Sequence, residues 1–268
     1  MQRDNFFSEI GTRLARLGFP EKINKRYFLF KKPTPIGSVG LFVFPENRID
    51  SIDFRLQCAV SVSSVQEQLL KTELFVDTGG LTWTCGALLK EMRRYQGHEN
   101  DVPSWKGADG KIYLDMQRLA EVRDEFGTDD GYIRADDTDD LISQSVDKVF
   151  ERFSKYGWPT LEQHGNSEEA FLNLTLRTDK VAELMFLDPV KPLAGLILAK
   201  RLGRDNARST LLRNAKSRYK SAAKYGNPDL LEQFYRIGKV LGLVDKTTFP
   251  GLGGLKKIMN LGQDKSKP

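Results

Sequence analysis

The sequence predicts an α+β fold: an N-terminal helix with an antiparallel sheet, followed by a mostly helical C-terminal module. Three observations predict it. Asp4–Leu17 places Phe6, Phe7, Ile10, Leu14 and Leu17 at helical spacing on one face. Ile52, Phe54, Leu56, Cys58, Val60 and Val62 then alternate with polar or small residues, the pattern of a strand buried on one side. Past residue 113 apolar positions return to helical period, punctuated by helix-starting and helix-stopping residues.

The first helix ends at Gly18, which tolerates positive φ, and Phe19-Pro20 turns the chain. Arg26–Lys32 and Val39–Phe44 are short aromatic and β-branched runs, separated by Pro33, Pro35 and Gly37. With the alternating run they form an antiparallel meander, because the connections are too short for crossovers. Glu73–Asp77 and Leu81–Thr84, around Thr78-Gly-Gly80, predict a further hairpin. Thr84 is placed to cap a helix reaching about Tyr95, and Gly97–Gly110 reads as loop. Helices are expected over Asp115–Phe126, Asp139–Phe153, Pro189–Leu202, Asn206–Lys224 and Pro228–Leu243. Asp188-Pro189 and Asn227-Pro228 each set a capping residue before a proline at the first helical position, and Asp205 caps the middle helix. Lys155-Tyr-Gly-Trp-Pro159 and Lys224-Tyr-Gly-Asn-Pro228 echo one another as helix terminators. The resulting organisation is a sheet module over 1–112, a helical module over 113–246 and a flexible tail over 247–268.

The 268 residues are 40% hydrophobic and 29% charged, with a net charge of +5, which describes a soluble globular chain with enough apolar material for a core. No secretory signal is visible at the start, and the apolar run Leu193–Ala199 is far short of the roughly 20 residues a membrane span needs. Two isolated cysteines give neither a disulfide framework nor a metal-type pair, so a reducing cytoplasm is the expected compartment.

Charge is segregated along the chain. Leu119–Asp140 holds nine acidic residues against two basic ones, whereas Lys200–Lys224 holds nine basic residues against Asp205 alone. Such polarity marks surfaces that meet something charged, or each other. On a helical wheel Arg213, Lys216, Lys220 and Lys224 of the 206–224 helix gather on one arc, and Lys200, Arg201 and Arg204 extend the patch. Such a row can follow a polyanion, although lysine-rich helix faces are also common as plain solvated surface. Ala207, Leu211, Ala215, Tyr219 and Ala222 occupy the opposite, apolar side. With Tyr219 there, no aromatic stacking platform accompanies the cations. The acidic docking candidates are Asp129, Asp130, Asp136, Asp137, Asp139 and Asp140. They do not form a calcium loop, since aligning Gly131 puts Phe126 and Thr128 where carboxylates are required.

The opening helix with its two phenylalanines, Leu17-Gly18-Phe19 and the aromatic strands after it resemble an uncharacterised bacterial family. Its members join such an N-terminal module to helices. Val149-Phe-Glu-Arg-Phe153, Gly157-Trp-Pro159 and Leu198-Ala-Lys-Arg-Leu-Gly203 fit the same layout. The likeness spans mainly Phe6–Val62, rests on packing residues and transfers no site residue. It implies a bacterial cytoplasmic protein.

Catalytic signals are sparse. Cys85 at a helix start would have its thiol activated by the helix dipole, and His98 with Glu99 and Asp101 is the nearest base. A helix from Cys85 to Tyr95 would carry His98 roughly 15 Å away, which opposes direct contact. His164 is the second of only two histidines, too few with two cysteines for a tetrahedral zinc site without carboxylates. Gly251-Leu-Gly-Gly-Leu-Lys-Lys257 lacks the ending of a phosphate-binding loop. The sequence therefore predicts a non-enzymatic interaction protein that docks a charged protein partner, with no cofactor, metal or membrane. Nucleic-acid binding through the 206–224 helix is the second expectation and a thiol enzyme using Cys85 the third.

Overall fold

The computed structural model describes residues 2–19, 21–23, 28–47, 51–72, 83–89, 92, 104–106, 112–114, 131–134, 137–224 and 229–245. It shows an α+β chain with a helical C-terminal half. Helix α1 (Gln2–Arg16) opens it, and Gly18 at φ 80° turns the chain out of the helix, as expected. Strands β1 (Glu21–Ile23), β2 (Phe28–Thr34), β3 (Gly37–Asn47) and β4 (Ser51–Val62) follow in antiparallel order. Strand β4 is central. Its free edge takes β5 (Cys85–Leu88) beside residues 57–60 and β8 (Gly131–Arg134) beside residues 51–54. Strands β6 (Ser104–Lys106) and β7 (Ile112–Leu114) form a separate pair.

The alternation in β4 does what it predicts. Phe54, Leu56, Cys58, Val60 and Val62 are all fully buried, facing α1 and the later helices. The Phe6 ring stacks on Phe54 at 3.8 Å and meets Phe7 edge-on at 5.6 Å, so one helical turn of α1 is pinned to the middle of the sheet.

After the short helix α2 (Ser63–Leu69), the described helices of the second half are α3 (Asp139–Arg152), α4 (Trp158–Gly165), α5 (Glu168–Leu176), α6 (Lys180–Leu184), α7 (Val190–Arg201), α8 (Asp205–Lys224) and α9 (Asp229–Val240). Helix α3 lies along α1, and the pair is laced by Asn5–Asp139, Glu9–Ser143 and Arg13–Asp147. Helix α7 is buried on all sides from Val190 to Ala199 and forms the axis of the helical half. Gly195 lets its neighbours close in. A Cβ there would lie 2.5 Å from Thr175 Oγ1 of α5 and 2.8 Å from Leu211 Cδ1 of α8. The buried residues of sheet and helices form one continuous cluster.

Three sequence expectations are corrected. Cys85 does not open a helix. Cys85–Leu88 is a strand, with Val60 opposite Cys85 and Ala59 opposite Gly86. Thr84 donates its N–H to Val60 O at 2.9 Å, and its hydroxyl oxygen accepts from Val62 N and Gln66 Nε2, each at 2.9 Å. Capping chemistry is thus used to extend a ladder. Lys155-Tyr-Gly157 does not end a helix either. The chain passes through a π-helical turn at Phe153–Gly157 straight into α4, whose second residue is Pro159. Gly157 is needed for proximity, because a Cβ would lie 2.8 Å from Cys58 Sγ on β4. Asp188 does not cap α7. The cap position is Pro189, and the Asp188 carboxylate points elsewhere.

The sequence readings at Glu73–Asp77, Asp115–Phe126, Asn227-Pro228 and 247–268 lie outside the described residues.

Candidate charged face on the long basic helix

Helix α8 is sorted into two edges. Leu211, Ala215 and Tyr219 are buried against α7 and α9, and the Tyr219 ring packs on Phe234 at 5.2 Å. On the other edge Arg213 and Lys220 are exposed, seven residues and so about two turns apart. Neither makes an ion pair with a described residue. Lys216 between them is half-buried and engaged in an interaction of its own. Lys224 ends the same helix.

The N-terminal flank of the patch differs. Arg201 Nε donates to Glu168 Oε2 at 2.9 Å, and Arg204 Nε donates to both oxygens of Glu169 at 3.2 Å. Lys200 reaches back to the carbonyl of Gly242 at 3.4 Å, and Arg208 to that of Leu243 at 3.4 Å. These cations tie α7 and α8 to the start of α5 and the end of α9. The open part of the predicted patch is therefore centred on Arg213 and Lys220.

The acidic candidates fall into two groups. Asp129, Asp130 and Asp136 lie outside the described residues. Asp137 Oδ2 accepts from Arg134 N at 2.7 Å and closes the turn after β8. Asp139 accepts from Asn5 Nδ2 at 3.2 Å, and Asp139 and Asp140 occupy the first turn of α3, where carboxylates offset the helix dipole. Among the described residues neither of these two pairs with the basic helix. The described residues also contain no group of three or more His, Cys, Asp or Glu able to hold a metal ion.

A second charged constellation escaped the sequence reading. Lys191, in the buried first turn of α7, is only 7% exposed. Its ammonium donates to Arg177 O at 2.6 Å and to Glu183 Oε1. Glu183 also accepts from Arg218, which reaches Asp188 Oδ2 at 2.6 Å with its other terminal nitrogen. Asp188 Oδ1 accepts from the Tyr219 hydroxyl at 3.0 Å. This chain runs from the end of α5 through α6 and α7 to α8. Burial raises the Glu183 pKa, but hydrogen bonds and charge from Lys191 and Arg218 outweigh it and hold the carboxyl below the usual range. Burial and the neighbouring Asp188 push the Tyr219 phenol up, so it is a proton donor at any physiological pH. One sequence signal marks the site: Lys191 is the single charge inside Val190–Ala199, an otherwise apolar run.

The thiol candidate loses its chemistry. Cys85 sits on β5, the last strand of the sheet order, at 5% exposure, and burial pushes its thiol far above the ordinary value. In a strand, it has no helix N-terminus at its own position to activate it. His98 lies outside the described residues. His164 is buried with Nδ1 3.4 Å from Ala170 O, and burial lowers its pKa, which suits a packing role. In the native protein a thiol reagent near neutral pH is expected to leave both Cys58 and Cys85 unmodified, with reaction appearing only in denaturant. Native-state labelling of Cys85 at the unfolded rate would contradict its burial. The chain matches no protein-family model, no curated protein and no solved structure, so what can be argued of its function comes from these contacts.

Proposed function

We propose that this is a non-enzymatic docking protein whose long basic helix meets an anionic partner, in the first instance an acidic protein surface. The supporting observation is the pair Arg213 and Lys220: exposed, aligned on one edge of a helix whose other edge is locked into the core, and without an ion pair among the described residues. Four cations on and beside the same helices are matched. Arg201, Arg204, Lys191 and Arg218 all have carboxylate partners. Leaving charges unmatched on a rigid helix costs little in stability, and it raises association rate and specificity toward an oppositely charged surface.

Nucleic acid is the second reading. Alignment of the cations along the helix favours it, whereas burial of Tyr219 removes the one aromatic of α8 from stacking. Among the described residues no helix is long and apolar enough to cross a membrane.

The test uses poly-glutamate and a short DNA duplex as probes, each titrated over a salt series. The wild type is expected to bind poly-glutamate at low salt and to release it as salt rises. The double variant Arg213→Glu/Lys220→Glu should lose that binding while keeping its thermal midpoint. If the duplex binds instead, the same variant should flatten the slope of log K against log salt by about two units, roughly one per lost phosphate contact. Absence of binding to both probes at low salt would sink the proposal.

A further inference from the structure

A cavity of about 320 Å³ opens between the α5–α6 connection, the start of α7 and the middle of α8. Its size is at the lower end of small-molecule sites, which run roughly 300–1,000 Å³. We propose that it binds a small carboxylate carrying a short apolar body.

The floor is apolar, built by Pro192, Leu211 and Ala215 beside the Tyr219 ring. The wall is charged, and unevenly so. Arg177, Lys191 and Arg218 all line it, whereas Glu183 is its one carboxylate. The balancing carboxylates Asp179 and Asp188 engage their arginines from outside the lining. Counted with those two, three carboxylates balance the three cations, so an entering group meets N–H donors left over from the ion pairs, above a greasy floor, rather than a net charge. A ligand that is anionic at one end and apolar at the other satisfies both.

The donors that remain suit an anion. Both terminal nitrogens of Arg218 are engaged, by Glu183 and Asp188, and Arg177 already forks onto Asp179 through Nε at 2.7 Å and a terminal nitrogen at 3.1 Å. Arg177 keeps the outer edge of its guanidinium, so the donors alone do not reject phosphate; the apolar floor, which a bare phosphate cannot use, is what favours a carboxylate with an apolar body. Single donors do remain. The Lys191 ammonium carries three protons and meets two acceptors, and the side chains of Asn214 and Ser217 line the mouth. One proton from Lys191 and one from Asn214 or Ser217 match the two oxygens of a carboxylate.

This site is independent of the docking face, since neither Arg213 nor Lys220 lines the cavity. Benzoate, butyrate, inorganic phosphate and butylamine are the probes, titrated into the full chain. The readouts are thermal midpoint and amide chemical shifts. Benzoate or butyrate is expected to raise the midpoint saturably, following RT ln(1 + [L]/Kd), and to shift the amides of Asn214 and Ser217. Ser217 is exposed on α8, so Ser217→Leu should fold normally, plug the mouth and abolish both effects. Arg213→Glu/Lys220→Glu should keep them. The proposal is overturned if neither carboxylate binds, if butylamine or phosphate binds equally well, or if Ser217→Leu binds like the wild type. Loss of carboxylate binding in the Arg213→Glu/Lys220→Glu variant would place the anion on the open helix face, which removes the cavity proposal and leaves the docking proposal standing.

Discussion

Phe6→Ala is expected to lower the unfolding free energy by about 3–5 kcal/mol, the range for truncating a buried phenylalanine where the site cannot collapse. The ring is fully buried and stacked 3.8 Å from Phe54, itself fully buried on the central strand. Collapse is blocked on both sides. Phe7 on the same helix is held in place by a ring stack on Phe28 of β2, and α1 is fixed along α3 by Asn5, Glu9 and Arg13. The helix cannot slide inward to fill the void without breaking those contacts. Ring–ring contact adds about 0.5–1.5 kcal/mol beyond buried area, so Phe6→Leu should recover part of the loss but not all. Denaturant unfolding with an unchanged m-value is the measurement. A Phe6→Ala loss below about 1 kcal/mol would mean that α1 is not seated on the sheet as described.

Where the sequence was legible, the signal was local and periodic. The alternation from Ile52 to Val62 needed only the pleat and one buried face, and β4 follows it. Phe6, Phe7, Ile10 and Leu14 needed only the helical period. Where it misled, the same residues serve two local roles and a distant partner decides between them. Thr84 before Cys-Gly-Ala carries the chemistry of a helix cap. The open edge of β4 was invisible from the sequence, and it captures Thr84 and Cys85 as a strand. The Gly86 N–H then donates to Met185 O at 2.7 Å, tying the sheet edge to the helical half. Gly157 looked like a terminator because glycine often is one. Its reason for being glycine is the Cys58 sulfur on a strand nearly a hundred residues earlier.

The candidate site divides in the same way. The two edges of α8 could be drawn from the sequence, and burial of Leu211, Ala215 and Tyr219 follows that drawing. Which cations stay open could not, because the partners of Arg201 and Arg204 are Glu168 and Glu169, more than thirty residues upstream and brought close by the packing of α5 on α7. Asp188-Pro189 reads as a cap for the same reason that Thr84 does. Its carboxylate is claimed by Arg218 and Tyr219 from a helix a full turn of the fold away.

Lys191→Ala should cost about 2–3 kcal/mol. Removing one member of a buried pair typically costs about 3–5 kcal/mol because the survivor is left charged and unmatched. Here the survivor is discounted: Glu183 keeps Arg218, and its side chain is about one-third exposed, so water screens part of the loss. The Arg177 carbonyl loses a charged donor at 2.6 Å as well. The pH dependence separates this from simple loss of packing. In the wild type the folded-state pKa of Glu183 lies below its ordinary 4.5. Its contribution to stability is therefore complete above that value and disappears as pH falls through the lower, folded value. Lys191→Ala removes the leading favourable contact, so the folded value moves up toward 4.5 and this part of the acid-dependent loss shrinks. Wild type and variant should accordingly differ most near neutrality and converge in acid. Lys191→Met, which fills the space without a charge, should restore packing but keep the pH-dependent part of the gap, because a thioether, unlike the ammonium, does not add to Arg218 in depressing the Glu183 carboxyl. A gap between wild type and Lys191→Ala that stays constant from neutral to strongly acid pH would show that Lys191 contributes volume alone.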